Sequence, residues 1–430
     1  MIIFSKNAGR PVNLVRVFEP RPAPNSCVPR RWVDRNMNIL YVESSRSWGG
    51  QEYRTCLETN WLNARGHQAW LICNPNSEVL LKARELGTRA IAMPLRRRID
   101  PVCWWRLWRF CRGNQIDLIK TYSSKDHWLA LPLYLCGIPV ARARCITDPI
   151  GNKWRAFIFK HGCSKIVADA SVIKRQLVQQ NGIDPAKIEV IGSAVDLQKF
   201  HPSRDRMKFR REMGFTAETP FIASIGMIRP DKGQLILVDA ARLVLSQRPD
   251  ARFVIVGQGT GYLKLGEKVR NAITRAGLTA KVLMIGYRWD TPDIFAACDM
   301  VAIASLRTEA SPIVLREAFA SGRPVVATKV GDIPEIIEPR QNGLLVEPGD
   351  STALAAAILE FLSDQKLAAH CAANGLRYAR EHFSFDRMMQ MKLEVDASLS
   401  RRRKAKPIPS SNAGTPPLAS ARTAQPVSRD

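Results

Sequence analysis

The sequence predicts an α/β protein with two domains, each built on a parallel β-sheet. Its 430 residues, of which 46% are hydrophobic, are too many for one ordinary core and suit two. Short apolar segments alternate with amphipathic ones over 37–202 and again over 219–382. Because alternating strands and helices favour parallel sheets, we assign these two ranges to domains and 203–218 to a linker.

Both ends of the chain differ from the middle in composition. Residues 1–36 are rich in Pro, Arg and Asn, and we interpret them as a flexible or mis-annotated extension, since Met37 opens the first clear strand. The segment 383–399 is predicted to be a last helix. The basic, Pro- and Ser-rich segment 400–430 is predicted to be a disordered tail, because it has too few apolar residues to fold alone.

The formal net charge of +25 predicts an anionic partner. Residues 1–36 hold seven Lys/Arg against two acids and 400–430 hold seven against one, so the middle still carries +14. A lipid surface or a phosphorylated glycan fits this charge. Nucleic acid is not expected as a partner, because no zinc-like Cys/His cluster and no aromatic-basic RNA motif occurs.

The cysteines and the apolar runs indicate a cytoplasmic protein. The ten cysteines include no C-x-x-C pair, which is typical of reduced, buried thiols. The longest apolar run, 129–141, contains two prolines and is shorter than the roughly 20 residues of a membrane span, so no transmembrane helix is expected. The first residues do not resemble a signal peptide.

The first domain begins with the strand MNILYV, followed by Gly49 and Gly50 and a helix to Arg65. The glycine pair is either a simple tight turn or a place where the backbone approaches a ligand closely. Further strands are predicted at 69–73, 89–93, 118–120, 140–144, 166–168 and 188–191. Polar residues at 121–127, including His127, follow the carboxyl end of one strand and should face the cleft, although His127 also suits an ordinary polar loop.

Residues 101–112 interleave three tryptophans with three arginines, just after Arg96-Arg97-Arg98. One interpretation is an amphipathic helix lying on an anionic bilayer. The other is a core-facing helix with a solvated basic face, which the distribution of Trp over more than one side favours.

The second domain repeats the pattern, with strands predicted at 221–225, 253–256, 282–285, 301–305 and 325–327. In the loop 226–233, GMIRPDKG, Arg229 and Lys232 can both reach a diphosphate, or they are solvated turn charges. Gly257-Gln258-Gly259 is an incomplete dinucleotide fingerprint, because Tyr262 occupies the place of the third glycine.

The segment LRTEASPIVLREAFASGR, 306–323, organises the second domain. Ser311 is predicted to cap a helix whose first turn holds Pro312 and Ile313 and whose N–H groups face the crevice at the strand ends, where anions bind. Glu309 lies in the loop before it, and Glu317 one turn in, where it can accept hydrogen bonds from two hydroxyls. Both also suit solvated charges near a helix start.

Two glutamates eight positions apart followed by G-x-P-V-V resemble the signature of retaining glycosyltransferases of family 4. Gly192 to Pro202, R-P-x-K-G at 229–233, Gly331 to Glu335 and Asn342 to Val346 agree in order, so the resemblance covers about 37–395. It implies the GT-B fold, in which two Rossmann-like parallel-sheet domains face a central cleft. The first domain would then bind the acceptor, the second the nucleotide sugar, and the last helix would return to the first domain.

The resemblance also implies roles for single residues. Glu309, Arg229 and Lys232 would act in catalysis, and Glu317 would bind the ribose hydroxyls. No cofactor or divalent metal is expected. The remaining expected donor-binding residues are Gly49, Gly50, Gly226, Gly257, Arg288, Ser311, Pro312 and Ile313.

The chain departs from the family where an R-x-R-H pattern commonly follows the strand 140–144. Here Cys145 takes the place of the histidine after Arg144. Arg144 and His127 are therefore the candidate acceptor-side residues, with His127 as a substitute for the missing side chain.

The sequence thus predicts a retaining glycosyltransferase acting on a nucleoside diphosphate sugar and a surface-glycan or lipid-linked acceptor, such as lipopolysaccharide. We expect it in the cytoplasm, with an anionic membrane surface as a candidate partner on the inner face of the membrane. The alternatives are a nucleotide-sugar epimerase of the same fold and a non-catalytic, membrane-associated binding protein.

Overall fold

A computed structural model describes residues 36–146, 150–151, 153–259, 263–307, 309 and 311–405 of the chain. The first domain is a seven-stranded sheet covered by helices on both faces. Its strands are β1 (Asn38–Glu43), β2 (Gln68–Cys73), β3 (Ala90–Ala92), β4 (Leu118–Thr121), β5 (Val140–Arg144), β6 (Lys165–Ala168) and β7 (Ile188–Val190). Its helices are α1 (Gly50–Ala64), α2 (Glu78–Glu85), α3 (Pro101–Gly113), α4 (Ser124–Leu135), α5 (Lys153–His161) and α6 (Ser171–Asn181).

The second domain has a six-stranded sheet and ends in three consecutive helices. Its strands are β8 (Phe221–Ile225), β9 (Arg252–Val256), β10 (Val282–Gly286), β11 (Met300–Ile303), β12 (Val325–Thr328) and β13 (Leu344–Val346). Its helices are α7 (Arg206–Met213), α8 (Gln234–Gln247), α9 (Leu263–Arg275), α10 (Thr291–Ala297), α11 (Ile313–Ala320), α12 (Ile333–Ile336), α13 (Ser351–Ser363) and α14 (Gln365–His382), followed by α15 (Phe385–Ala405).

Every strand pairing in both sheets is parallel. The strand orders are β3-β2-β1-β4-β5-β6-β7 and β10-β9-β8-β11-β12-β13. In each sheet the chain first moves outward in one direction and then returns to the middle to continue in the other. This reversal lies between β1 and β4 in the first sheet and between β8 and β11 in the second, and ligands of such sheets bind beside it. The predicted fold class is confirmed.

The segment predicted as a linker, 203–218, contains a helix. Phe209 of α7 is buried in a core with Phe221, and Arg210, fully buried, bonds to Asp299 at 2.7 Å. The density of charges in this segment suggested a solvated boundary. Its two buried residues instead attach it to the second domain.

The last helix, α15, covers one face of the first sheet. Met388, Met389 and Leu393 join a core with Ile39 and Tyr41 of β1. The opposite face of the sheet is covered by α3, α4, α5 and α6. The prediction that 400–430 is a disordered tail is wrong for its first six residues, because α15 continues to Ala405 and Ser400 is buried. Residues 1–35 and 406–430, the rest of the predicted extension and tail, lie outside the described residues.

Buried charges accompany the return of α15 to the first domain. Lys392 donates to the Glu58 carboxylate of α1, which also accepts from Arg54 at 3.0 Å and from the Tyr122 hydroxyl at 2.8 Å. Lys120 of β4 pairs with Asp396 of α15 at 2.8 Å. Burial lowers the pKa of Lys392 to about 8, whereas the three neighbouring cations hold the pKa of Glu58 well below its usual range.

Two predictions from the sequence concern the membrane and the cysteines. Among the described residues, no helix combines the length and apolar composition that a bilayer span requires. The nine cysteines in the described part of the chain are free thiols, and seven of them are buried, as their apolar surroundings predicted.

Substituting Lys392 should destabilise the first domain, because Glu58 would lose a buried counter-charge. We expect Lys392→Met to cost on the order of 2 to 3 kcal/mol, somewhat less than a fully broken buried pair, because Arg54 still faces Glu58. The midpoint of thermal unfolding should fall by roughly 5 to 10 °C. Lys82→Met, which breaks an exposed pair with Glu85, is the control and should shift it by about 1 °C or less. Equal shifts for the two variants would contradict this account.

Candidate functional site

A cavity of about 250 Å³ lies where the second sheet reverses direction. Its walls are the loop after β8 and the loop between β11 and α11, and its lining includes Gly226, Arg229, Lys232, Glu309, Ser311, Pro312 and Ile313. Seven residues predicted from two separate motifs therefore meet in one cavity. Because both loops leave the carboxyl ends of adjacent parallel strands, the topology alone brings them together.

Two glycines fix the backbone on either side of Glu309. Gly233 has φ of +64°, and a Cβ there would collide with the Ala304 carbonyl oxygen at the end of β11. Gly331 has φ of +59°, and a Cβ there would collide with the Glu309 backbone. In addition, the N–H of Asp332 donates to the Glu309 carbonyl oxygen at 3.1 Å. Any larger residue at either glycine would displace the Glu309 loop.

The Glu309 carboxylate points at the loop after β8. It accepts hydrogen bonds from Lys232 Nζ and, at 2.5 Å, from the Ser305 hydroxyl. Ser305 is held in turn by Thr328, whose hydroxyl donates to the Ser305 carbonyl oxygen at 2.6 Å. The sequence did not single out Ser305 or Thr328, although both lie at the carboxyl ends of strands that line the site.

Helix α11 begins differently from the prediction. Its N-cap is Pro312, and among the described residues no side chain caps it. The prediction of a Ser311 cap is wrong, because the Ser311 hydroxyl is buried and finds no hydrogen-bond partner within the described part of the chain. The first N–H groups of the helix therefore have no side-chain acceptor among residues that the structure describes, and Ile313, half exposed, lies beside them in the cavity lining.

Glu317 lies one turn into α11 and is half-buried. Among the described residues, its carboxylate has no hydrogen-bond or ion-pair partner. Burial alone raises its pKa to about 7. An acceptor group held in this unpaired state is suited to binding hydroxyl donors from a ligand, which is the role that the spacing predicted.

Arg229 and Lys232 occupy the loop after β8, where the sequence placed them. Arg229 bonds to Asp231 through Nε at 2.9 Å, and this contact lowers the pKa of the Asp231 carboxyl. Lys232 ends a short 3-10 turn, Pro230–Lys232, just before Gly233. Both cations border the cavity, and each has a carboxylate partner within the protein.

The loops after β8, β9 and β10 touch one another through glycines. Gly257 has φ of +145°, and a Cβ there would collide with the Gly226 carbonyl oxygen. The N–H of Gly257 donates to Gly286 at 2.7 Å. A second cavity of about 190 Å³ is lined by Gly257, Gly286, Ile228 and Arg270. The Arg288 side chain does not belong to it, since the guanidinium pairs with Glu212 and Asp290, each at 2.7 Å.

The first domain has the predicted glycine turn before α1 and, beside it, a buried acid, Glu43, that sequence reasoning missed, and none of its described residues lines the 250 Å³ cavity. Gly49 precedes α1, as predicted, and Gly50 is its first residue. Glu43, buried at the end of β1, accepts from Gln51 at 2.9 Å, and burial together with the nearby Asp126 carboxylate raises its pKa to about 8. The signal for Glu43 was its position directly after the predicted strand MNILYV.

The two candidate acceptor-side residues differ in their surroundings. His127 is not a loop residue, because it lies within α4 and is fully buried, with its ring 6.2 Å from that of Phe159. Burial lowers its pKa to about 3, so it stays neutral. The idea that His127 substitutes for the missing cleft histidine is therefore wrong. Arg144 ends β5 and is half-buried.

Cys145 is hydrogen-bonded to a charged side chain of the first domain. Its thiol donates to Asp169, which Arg54 binds at 2.9 Å, and burial raises the pKa of Cys145 to about 12. The thiol is therefore protonated at neutral pH and does not replace the acid–base chemistry of an imidazole.

Two family models match successive parts of the chain. The model described as Glycosyltransferase Family 4 matches residues 48–199, and that described as Glycosyl transferases group 1 matches residues 205–378. The boundary between them falls just before α7.

Two curated proteins show the kind of relative that the chain has. A lipopolysaccharide core biosynthesis mannosyltransferase, LpsB of Rhizobium meliloti, is 29% identical over 215 residues, which are 49% of this chain and 61% of that protein. An Escherichia coli galactosyltransferase, whose name gives UDP-Gal and GlcNAc-diphosphoundecaprenol as substrates, is 24% identical over 280 residues, 61% of this chain and 70% of the relative. The match to LpsB thus spans about three fifths of its length.

A crystal structure of Anabaena HepE in complex with UDP shares the fold. It aligns with a TM-score of 0.72 and 24% sequence identity, over 84% of this chain and all of HepE. The likeness extends over both domains and supports the GT-B architecture.

The raised pKa of Glu317 predicts a pH-dependent effect of its amide. The pKa of this carboxyl is about 7 in the folded protein and 4.5 in the unfolded chain. Its cost to stability is therefore absent at pH 4, grows as pH rises between the two values, and is complete above pH 7. Glu317→Gln should therefore raise the unfolding free energy by on the order of 2 kcal/mol at pH 8 and change it little at pH 4. Thermal unfolding at both values measures this. Glu394→Gln, at an exposed position of α15, is the control and should show no such difference.

Proposed function

The chain belongs to the group 1 glycosyltransferases of family 4, and we propose that it is a retaining enzyme that moves a sugar from a nucleoside diphosphate sugar to a hydroxyl of a surface-glycan or lipid-linked acceptor. The observation that carries this proposal is the cavity in which Glu309, Lys232 and the uncapped start of α11 meet. Cations and free N–H groups suit a diphosphate, and an adjacent carboxylate suits a sugar.

The donor would lie across the loops of the second sheet. The diphosphate would contact Lys232, Arg229 and the first N–H groups of α11, which stabilise the negative charge of the leaving group without a metal. Glu317 would accept hydrogen bonds from the ribose hydroxyls. The base would lie near the smaller cavity at Gly257 and Gly286, and Gly49 and Gly50 would approach the donor from the first domain.

The transfer step would break the bond between the anomeric carbon and the diphosphate oxygen. The acceptor hydroxyl would attack that carbon from the face of the leaving group, and a diphosphate oxygen would take the hydroxyl proton, so that configuration is retained. Lys232 would exchange its contact with Glu309 for one with the diphosphate. Glu309 would then be free to bind a sugar hydroxyl or to stabilise positive charge on the sugar.

An anionic membrane surface is the proposed second partner. Helix α3 buries Cys103, Leu107 and Cys111, and its other side exposes Val102, Trp105 and Trp108. Arg109 and Arg112 lie over the rings of Trp105 and Trp108, each at 5.6 Å. Apolar rings flanked by arginines suit the headgroup region of an anionic bilayer, where a lipid-linked acceptor would be found.

The donor is tested with a panel of UDP-, GDP- and ADP-sugars. We expect one nucleotide to raise the unfolding temperature and its sugar to be released slowly by hydrolysis. Glu317→Ala should weaken donor binding at least tenfold, since about 1.4 kcal/mol per lost hydrogen-bond contact corresponds to a factor of ten. Lys232→Ala should lower kcat by about a hundredfold through loss of leaving-group stabilisation.

The control for the donor experiment is Glu394→Ala, which should behave like the unaltered protein. NMR of the product determines whether the anomeric configuration is retained. Release of a modified free sugar without an acceptor would support the epimerase instead. A folded protein that responds to no nucleotide would overturn the proposal.

Membrane binding is tested by sedimentation with vesicles. We expect the full chain to bind vesicles rich in phosphatidylglycerol and to ignore pure phosphatidylcholine, with affinity falling as salt rises. Replacing Trp105 and Trp108 together by Ala should lower the affinity roughly tenfold, because two interfacial rings are lost. The control is Trp289→Ala, an 81% exposed tryptophan of the second domain. An equal loss of vesicle affinity in the α3 variant and in Trp289→Ala would argue against binding through α3.

A further inference from the structure

Helix α6 of the first domain has its N-terminal cap in the second domain. Its own N-cap residue, Ala170, has no side chain that accepts a hydrogen bond. Instead, the N–H groups of Ser171 and Val172 donate to the two carboxylate oxygens of Asp332, at 2.8 and 2.9 Å. Asp332 is only 6% exposed. A carboxylate on two free N–H groups is a strong form of helix cap, because charge and dipole are both satisfied.

The same residue is bound to the Glu309 loop. The backbone N–H of Asp332 donates to the Glu309 carbonyl oxygen, and the neighbouring Gly331 lies against the Glu309 backbone. The side chain of Asp332 therefore contacts one domain while its backbone supports the carboxylate-bearing loop of the other. A displacement of α6 relative to the second domain must either break two hydrogen bonds or pull on this loop.

Other contacts also cross between the domains near Asp332. Glu335 pairs with Arg175 of α6, both side chains being about half exposed, and it also interacts with the Ser171 side chain at the start of that helix. Arg316, which precedes Glu317 in α11, donates to the Ser193 carbonyl oxygen in the chain segment after β7, and a Cβ on Gly192 would collide with its guanidinium. The buried contacts thus adjoin Glu309 and Glu317, whereas the Arg175 pair is a surface contact and should contribute little.

We propose that Asp332 is a positioning residue that links closure of the two domains to the placement of Glu309. With the domains closed, the N-terminus of α6 holds Asp332, and Asp332 holds the Glu309 loop at the cavity. When they separate, both carboxylate bonds break, and the loop loses that support. This inference rests on the proposed function for its catalytic consequence, although the contact between the domains does not depend on it.

The alternative is that Asp332 only stabilises α6. A cap supplied from within the first domain distinguishes capping of α6 from the link between the domains. Ala170 has φ of −156° and ψ of 149°, the extended conformation that N-cap residues adopt. It is fully buried in the first domain's core, so the hydroxyl of Ala170→Ser needs the first N–H groups of α6 as its partners, and in bonding to them it caps α6 from within the first domain. It restores the cap without restoring the contact between the domains.

The experiment compares Asp332→Ala, Asp332→Ala with Ala170→Ser, and Arg175→Ala, all in the full chain. Small-angle scattering without nucleotide should show a larger radius of gyration for both Asp332 variants. It should show an unchanged one for Arg175→Ala, which breaks only the surface pair with Glu335. With donor and acceptor, both Asp332 variants should lose about tenfold in kcat with donor KM within about twofold, corresponding to about 1.4 kcal/mol. Hydrolysis should rise relative to transfer, because an open cleft admits water.

The unfolding temperature checks that the variants fold, and Ala170→Ser should recover most of any loss. Recovery of kcat by Ala170→Ser would overturn the proposal and leave Asp332 a structural cap. An unchanged radius of gyration in Asp332→Ala would overturn it as well. If the unaltered protein transfers no sugar, the proposed function fails, and the scattering comparison still decides whether Asp332 holds the domains together.

Discussion

The position of Glu309 depends on close backbone contacts that only glycine permits. Gly233 lies against the carbonyl of Ala304 on one side of the loop, and Gly331 lies against Glu309 on the other. Both adopt positive φ, so a side chain would be strained as well as obstructed. The carboxylate, its Lys232 partner and the start of α11 are thereby brought to one cavity by rigid backbone, which places a functional group more precisely in space than flexible side chains do.

The proposed site also depends on how the two domains are arranged, because the places where the two sheets reverse direction must face the same cleft. Helix α15 contributes to this arrangement, because it follows the second domain in sequence and packs on the first. Its polar side uses Lys392 and Asp396 to neutralise Glu58 and Lys120. Such buried pairs add little net stability compared with apolar packing, but a misplaced helix would leave each charge unpaired. They therefore favour one register of α15 on the sheet.

The contacts between the domains connect this architecture to chemistry. Asp332 and Arg316 each stand next to a residue of the candidate site and bond to backbone of the opposite domain. A transferase must exclude water while the donor is activated, and closure of two domains is a physical means of doing so. Contacts that join the two domains and also touch the site can make those two events depend on each other.

Much of this protein was determined by its sequence alone. The alternation of apolar and amphipathic segments was enough to predict the α/β class and nearly every strand. The order of motifs placed Glu309, Lys232 and Gly226 at the ends of strands, and a parallel sheet brings those ends together. What only the tertiary structure decided were the features that depend on neighbours distant in the chain. His127 is polar in sequence but is buried under Phe159, Ser311 is a good cap by type but Pro312 takes that place, and α6 is capped by Asp332, about 160 residues away. Local propensity acts over a few residues, whereas burial and capping across domains are set by packing, which no short stretch of sequence contains.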